Sequence, residues 1–209
     1  MKIMKLFLTS SVHAVAHDIA KKVNLSKAKQ LVFIDTAAEV EEGDKTWLKN
    51  DRQALVDAGF IVSDYTITGK SREQLGADLD KFDYIYLSGG NTSHLLQQSQ
   101  KSEFVSLIKE LVREKGKIYI GTSAGSIIAG PKLPDYFSDE KVKLEDIRGY
   151  NFVNFTIMPH WGSDHFKDLY LGERLKIAYK KDQVPFILLT DNQYVYVQDD
   201  QLKIIDVSS

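Results

Sequence analysis

Short apolar, β-rich runs alternate with stretches of helical periodicity along nearly the whole chain, and this restricts the possible folds more than any other feature. Lys5–Thr9, Gln30–Asp35, Phe60–Tyr65, Tyr84–Ser88, Lys117–Thr122, Tyr150–Met158 and Phe186–Thr190 read as strands. Between them Val12–Lys22, Thr46–Ala58, Arg72–Lys81, Thr92–Gln98, Glu103–Lys115 and Asp164–Lys180 read as helices, and a short helix starts at Ala124. Gln193–Gln198 and Gln201–Val207 read as a closing hairpin turned at Asp199-Asp200. Such alternation predicts an α/β fold: a mostly parallel sheet with helices on both faces, finished by a C-terminal β-hairpin. No repeat or linker interrupts it, so residues 1–209 are expected to form one domain.

Composition narrows the chemistry. The chain has no cysteine, which excludes disulfides, thiolate zinc sites, iron–sulfur clusters and a cysteine nucleophile. Its net charge of −2 gives no general attraction to nucleic acid or acidic membranes, so neither is an expected partner. No apolar run approaches the roughly 18 residues of a membrane span. The basic, apolar opening from Met1 to Leu8 imitates a signal peptide, but Thr9, Ser10, Ser11 and His13 break the apolar stretch. It reads instead as a strand ending in a polar turn, and a cytoplasmic protein is expected. Gly69-Lys70-Ser71 imitates a phosphate loop, but Asp64 stands where that motif needs a glycine.

In sheets of this kind, ligands sit beyond the C-terminal ends of the strands. Gly121-Thr122-Ser123-Ala124-Gly125 follows one predicted strand and opens a helix, which is the context a nucleophile elbow requires. Ser123 is then a candidate nucleophile; the plainer reading makes it a helix cap in a tight turn, with Ser126 a packing or capping residue. Gly89-Gly90-Asn91 follows another strand and leaves backbone N–H groups uncovered. With the N–H of Ala124, those of Gly89 and Gly90 suit an oxyanion hole. Asn91 is a candidate substrate contact or, like Thr92, an N-cap. A serine nucleophile needs an imidazole base, and of five histidines only His160 directly follows a predicted strand. His13 and His17 form an i,i+4 pair, His94 lies one turn into a helix, and His165 lies near His160. Asp191 follows the last predicted parallel strand and could orient the imidazole; it could equally open the hairpin as a turn residue. Asp135, Asp139 and Glu140 compete with it. The set implies acyl transfer to water through a serine acyl-enzyme. Its order, Ser–His–Asp, departs from the Ser–Asp–His order of the α/β-hydrolases.

Leu87-Ser88-Gly89-Gly90-Asn91-Thr92, Gly121-Thr122-Ser123-Ala124-Gly125-Ser126 and Pro159-His160 together resemble the peptidase E (aspartyl dipeptidase) family of serine peptidases, which includes cyanophycinase. The resemblance implies a flavodoxin-like fold similar to the class I glutamine amidotransferases, with serine at the elbow. It also implies Ser123 as nucleophile, His160 as base, oxyanion donors at Gly89, Gly90 and Ala124, and an acid at Asp191 or near Asp135–Asp139. No cofactor or metal is implied. The expected function is hydrolysis of short peptides by a monomer or homodimer. The charged segment 131–148 departs from the family pattern and is expected to shape selectivity. Arg148 and Lys132 are the candidates there for reading an N-terminal aspartate. Two other readings compete: a non-catalytic binding or regulatory protein on the same scaffold, and a metal hydrolase built on His160, Asp164, His165 and His94.

Overall fold

The computed structural model describes residues 3–23, 29–137, 144–181 and 184–208. Its main sheet has seven strands. Five are parallel: β1 (Lys5–Thr9), β2 (Gln30–Ile34), β3 (Ile61–Tyr65), β4 (Tyr84–Leu87) and β5 (Ile118–Thr122). They lie in the order β3–β2–β4–β5–β1. The hairpin strands β8 (Gln193–Gln198) and β9 (Gln201–Asp206) extend the sheet antiparallel beyond β1. Two further strands, β6 (Thr156–Met158) and β7 (Phe186–Leu188), pair with each other in parallel as a separate small sheet.

The apolar runs are continuous because both faces of the main sheet are covered. On one face Leu6, Leu8, Val32, Ile34, Ile85 and Leu87 belong to a core shared with α3 (Arg72–Leu79), α4 (Thr92–Lys101), α5 (Phe104–Lys109) and α6 (Ala124–Ile127). On the other, Phe7, Leu31, Phe33, Tyr84 and Tyr86 join a second core with α1 (Val12–Val23) and α2 (Thr46–Asp57). Successive strand residues thus serve opposite cores, as the pleat requires. α7 (Asp164–Leu169) and α8 (Leu175–Lys181) occupy the stretch between β6 and β7, joined by a π-helical turn.

The expected strand Tyr150–Met158 is extended only in its last three residues. Tyr150 is instead an anchor. Its ring is fully buried, edge-on to Phe104, Tyr119 and Phe152, with its hydroxyl 2.8 Å from Ser99 Oγ. Asn151 then turns the chain at φ 52°. The aromatic content that reads as β-propensity records packing rather than pairing. The helix expected over Glu103–Lys115 begins after a left-handed Glu103 and widens into a π turn over Glu110–Glu114.

Candidate active site

β5 ends at Thr122, and Ser123 turns the chain into α6 with φ 48° and ψ −106°. That conformation is strained for a residue with a Cβ, and it persists only if its surroundings fix it. They do: the Ser123 N–H donates to the Thr9 carbonyl (3.1 Å) and the Gly125 N–H to the Ser88 carbonyl (3.2 Å). The two glycines of the elbow are there for space. A Cβ on Gly121 would stand 2.5 Å from the Gly125 carbonyl oxygen, and one on Gly125 would stand 2.3 Å from that of Leu87. Gly125→Ala must therefore push the elbow off β4. It is expected to lower stability by about 1–3 kcal/mol, read by urea unfolding; unchanged stability would mean that the turn is not held this tightly.

β4 delivers the double glycine beside the elbow. A Cβ on Gly89 would lie 3.3 Å from Ser123 Cβ and 3.6 Å from Trp47 Cζ3. Trp47, half-buried near the start of α2, thus lies close to Gly89. Gly90, at φ 120°, runs against the 3-10 turn Thr36–Ala38 so closely that a Cβ would meet the Ala37 carbonyl oxygen at 2.4 Å. Among the described residues, no hydrogen-bond acceptor takes the N–H of Gly89, Gly90 or Ala124.

The small sheet brings up the other side chains. His160 follows β6 with φ 59°. Its Nε2 lies 3.1 Å from Ser123 Oγ and its Nδ1 lies 2.7 Å from Asp191 Oδ1. Protons follow from the partners: Asp191 accepts from Nδ1–H, which leaves Nε2 to accept the serine proton. Phe166 on α7 stacks on the imidazole at 4.6 Å and 11°, and the Tyr170 hydroxyl donates to the Pro159 carbonyl at 2.6 Å. Asp191 arrives from β7, two residues after Leu189, whose carbonyl accepts the Trp161 N–H at 2.9 Å. Hydrogen bonds from His160 and then from Ser10 hold the Asp191 carboxyl below the usual carboxylate range, against the opposing effect of partial burial.

Hydrogen bonds join Ser123, His160 and Asp191, Gly89 lies beside Ser123 and Ala124 follows it, while Gly90 packs against Ala37. Asn91 is spent in part on structure: its side-chain oxygen caps α4, accepting the His94 N–H at 2.7 Å. The Ser126 hydroxyl is a packing link, 2.8 Å from the carbonyls of Thr9 and Gly121. Asp135 pairs with Lys132 at 3.0 Å and Arg148 with Asp146 at 2.6 Å, while Asp139 and Glu140 lie outside the described residues. The set His160, Asp164, His165 and His94 is not assembled. His94 is buried against Glu39 (3.0 Å), and His165 is exposed, edge-on to Phe166. His13 turns to Ser11 Oγ (2.7 Å) and Asp51, which raises its pKa, and His17 is exposed. Among the described residues no three His, Asp or Glu side chains gather at metal-ligand spacing. Ser10, Trp47 and Phe166 were not singled out from the sequence. Ser10 was within reach of the strand-end rule, because it directly follows β1.

A serine at a strand–helix elbow, with imidazole and carboxylate in line behind it on a mostly parallel sheet, is the arrangement that a serine hydrolase of α/β architecture requires. The comparison with known families is more particular. The model of peptidase family S51 matches residues 6–205, and the chain belongs to that family of serine peptidases. It is similar to an uncharacterized peptidase of Listeria innocua, at 31% identity over 94% of each chain. It is also similar to the peptidase E of Shewanella amazonensis, at 26% identity over 85% of this chain and 75% of the other. Among solved structures, a candidate peptidase E protein from Listeria monocytogenes superposes with a TM-score of 0.86 at 28% identity, covering 99% of this chain and all of that one. No helix among the described residues is long and apolar enough to cross a membrane.

Proposed function

We propose that the chain hydrolyses short peptides through an acyl-enzyme on Ser123. The observation that carries this reading is the unbroken line Asp191–His160–Ser123, with links of 2.7 and 3.1 Å. His160 Nε2 takes the serine proton as Oγ attacks the peptide carbonyl, and returns it to the departing amine. Asp191 holds the reactive tautomer and stabilises the imidazolium. The oxyanion points at the uncovered N–H groups of Gly89 and Ala124, with Gly90 alongside. Water then repeats the attack on the acyl-enzyme, with His160 again as base. In this reading the first residue of the peptide is not restricted to aspartate. Arg148 and Lys132, the candidate cations for reading a substrate carboxylate, pair with Asp146 and Asp135, and the indole of Trp47 lies close to Gly89, the neighbour of Ser123. A fluorophosphonate probe is expected to label Ser123, and dipeptides with and without a leading aspartate are expected to slow the labelling. A folded sample that takes no label at Ser123 would sink the mechanism; protection by aspartyl dipeptides alone would sink the substrate reading.

A further inference from the structure

The reacting groups hang from two different sheets. Ser123 follows β5 of the large sheet, whereas His160 and Asp191 follow β6 and β7 of the small one. Among the described residues no strand pairing joins the two sheets, so β-ladder hydrogen bonds do not set the distance between nucleophile and base. The end of β1 touches both. The Thr9 carbonyl accepts the Ser123 N–H at 3.1 Å. One residue on, the Ser10 hydroxyl accepts the His160 N–H at 2.7 Å and donates to Asp191 Oδ1 at 2.7 Å. Its oxygen also lies 3.4 Å from His160 Nδ1.

A serine hydroxyl has one proton to give and lone pairs to receive. Here the proton goes to the carboxylate and a lone pair goes to the histidine backbone. Ser10 is fully buried, so it cannot touch the substrate. His160 sits at φ 59°, a conformation a histidine holds only when its surroundings fix it. The Ser10 oxygen supplies one such constraint on its N–H; the Phe166 stack supplies another on its ring.

We infer that Ser10 is a positioning residue for hydrolysis, the clasp that sets the His160–Asp191 pair of the small sheet against the Ser123 elbow of the large one. The inference rests on the catalytic reading of those three residues. It has two consequences. Loss of the hydroxyl loosens the imidazole relative to Oγ, and small errors in that distance weigh heavily on the chemical step. Loss also strips Asp191 of a donor that favours its ionised form, so the carboxyl becomes less acidic.

The test is Ser10→Ala beside Ser10→Cys, which keeps an atom of similar size but a weak donor. In Ser10→Ala, kcat is expected to fall roughly 10- to 100-fold while KM stays within about twofold. The acid limb of its kcat/KM profile is expected to move to higher pH, and Ser10→Cys to fall between it and the wild type. Circular dichroism and melting report the folded fraction. A folded Ser10→Ala with wild-type kcat and an unmoved profile overturns the inference. So does a drop in rate that follows the folded fraction with the profile unmoved, since that is a structural role only. If Ser10→Ala does not fold, Ser10→Cys is read by the same criteria. A wild-type enzyme that hydrolyses peptides while Ser123 takes no phosphonate label fails the catalytic reading instead, and is recognised separately.

Discussion

Ser123→Ala is expected to lower kcat by about 10⁴-fold or more and to leave the melting temperature where it was. The size follows from what surrounds the oxygen. Its hydrogen-bond partner is His160, and among the described residues no neighbouring hydroxyl is placed to substitute. Thr122 Oγ lies 2.9 Å from Thr9 Oγ, and the Ser126 hydroxyl is turned to the carbonyls of Thr9 and Gly121. The chain holds no cysteine. By the proposed mechanism, alanine ends covalent catalysis and leaves the oxyanion donors to stabilise direct attack by water. Stability is a separate matter, because alanine keeps the Cβ and with it the strained φ of 48°. Glycine at the same position removes that strain, worth about 1 kcal/mol, so Ser123→Gly is expected to be inactive and slightly more stable. Steady-state hydrolysis and thermal melting on the same samples check both statements. Turnover near the wild-type rate in Ser123→Ala would mean that another group is the nucleophile.

Much of this site was legible in the sequence because each part obeys a local rule. Gly121 and Gly125 had to be glycine for a helix to start against a strand, and the surrounding apolar runs said where that strand was. His160 and Asp191 stood out because each follows a short apolar run. What the sequence did not disclose is that these two runs form their own sheet. A three-residue strand such as Thr156–Met158 carries no mark of which neighbour it pairs with, and the aromatic residues before it imitate a longer strand. Ser10 was missed for a related reason. Its neighbours in sequence suggest only a polar turn, and its meaning depends on β1 lying next to β5, with Thr9 opposite Thr122. Trp47 lies in the predicted helix Thr46–Ala58, but its place close to Gly89 is a contact between distant parts of the chain. Contacts made within a few residues are written in the local pattern; contacts made between distant strand ends are not.

For the acid of the proposed triad the sequence leaves two positions open, and Asp191→Asn separates them. Asp191 Oδ1 accepts from both the His160 ring and the Ser10 hydroxyl, so asparagine fails whichever way its amide turns. With its oxygen in that place it accepts both bonds but has no charge to stabilise the imidazolium. With its nitrogen there it presents a donor to a donor and forces the wrong tautomer. The expected loss in kcat is about 10³- to 10⁴-fold at neutral pH, whereas Asp135→Asn, which loosens an ion pair with Lys132 in the charged segment, is expected to stay within about twofold of the wild type. The pH dependence of stability has a definite sign. The Asp191 carboxyl is held below its unfolded value, so its contribution is present above the unfolded carboxylate range and disappears as the pH falls through the folded value. Wild-type melting temperatures should therefore drop more steeply with acid than those of Asp191→Asn. An asparagine variant that retains wild-type turnover would move the third member of the triad elsewhere, and equal acid slopes would mean that the folded carboxyl is not held low.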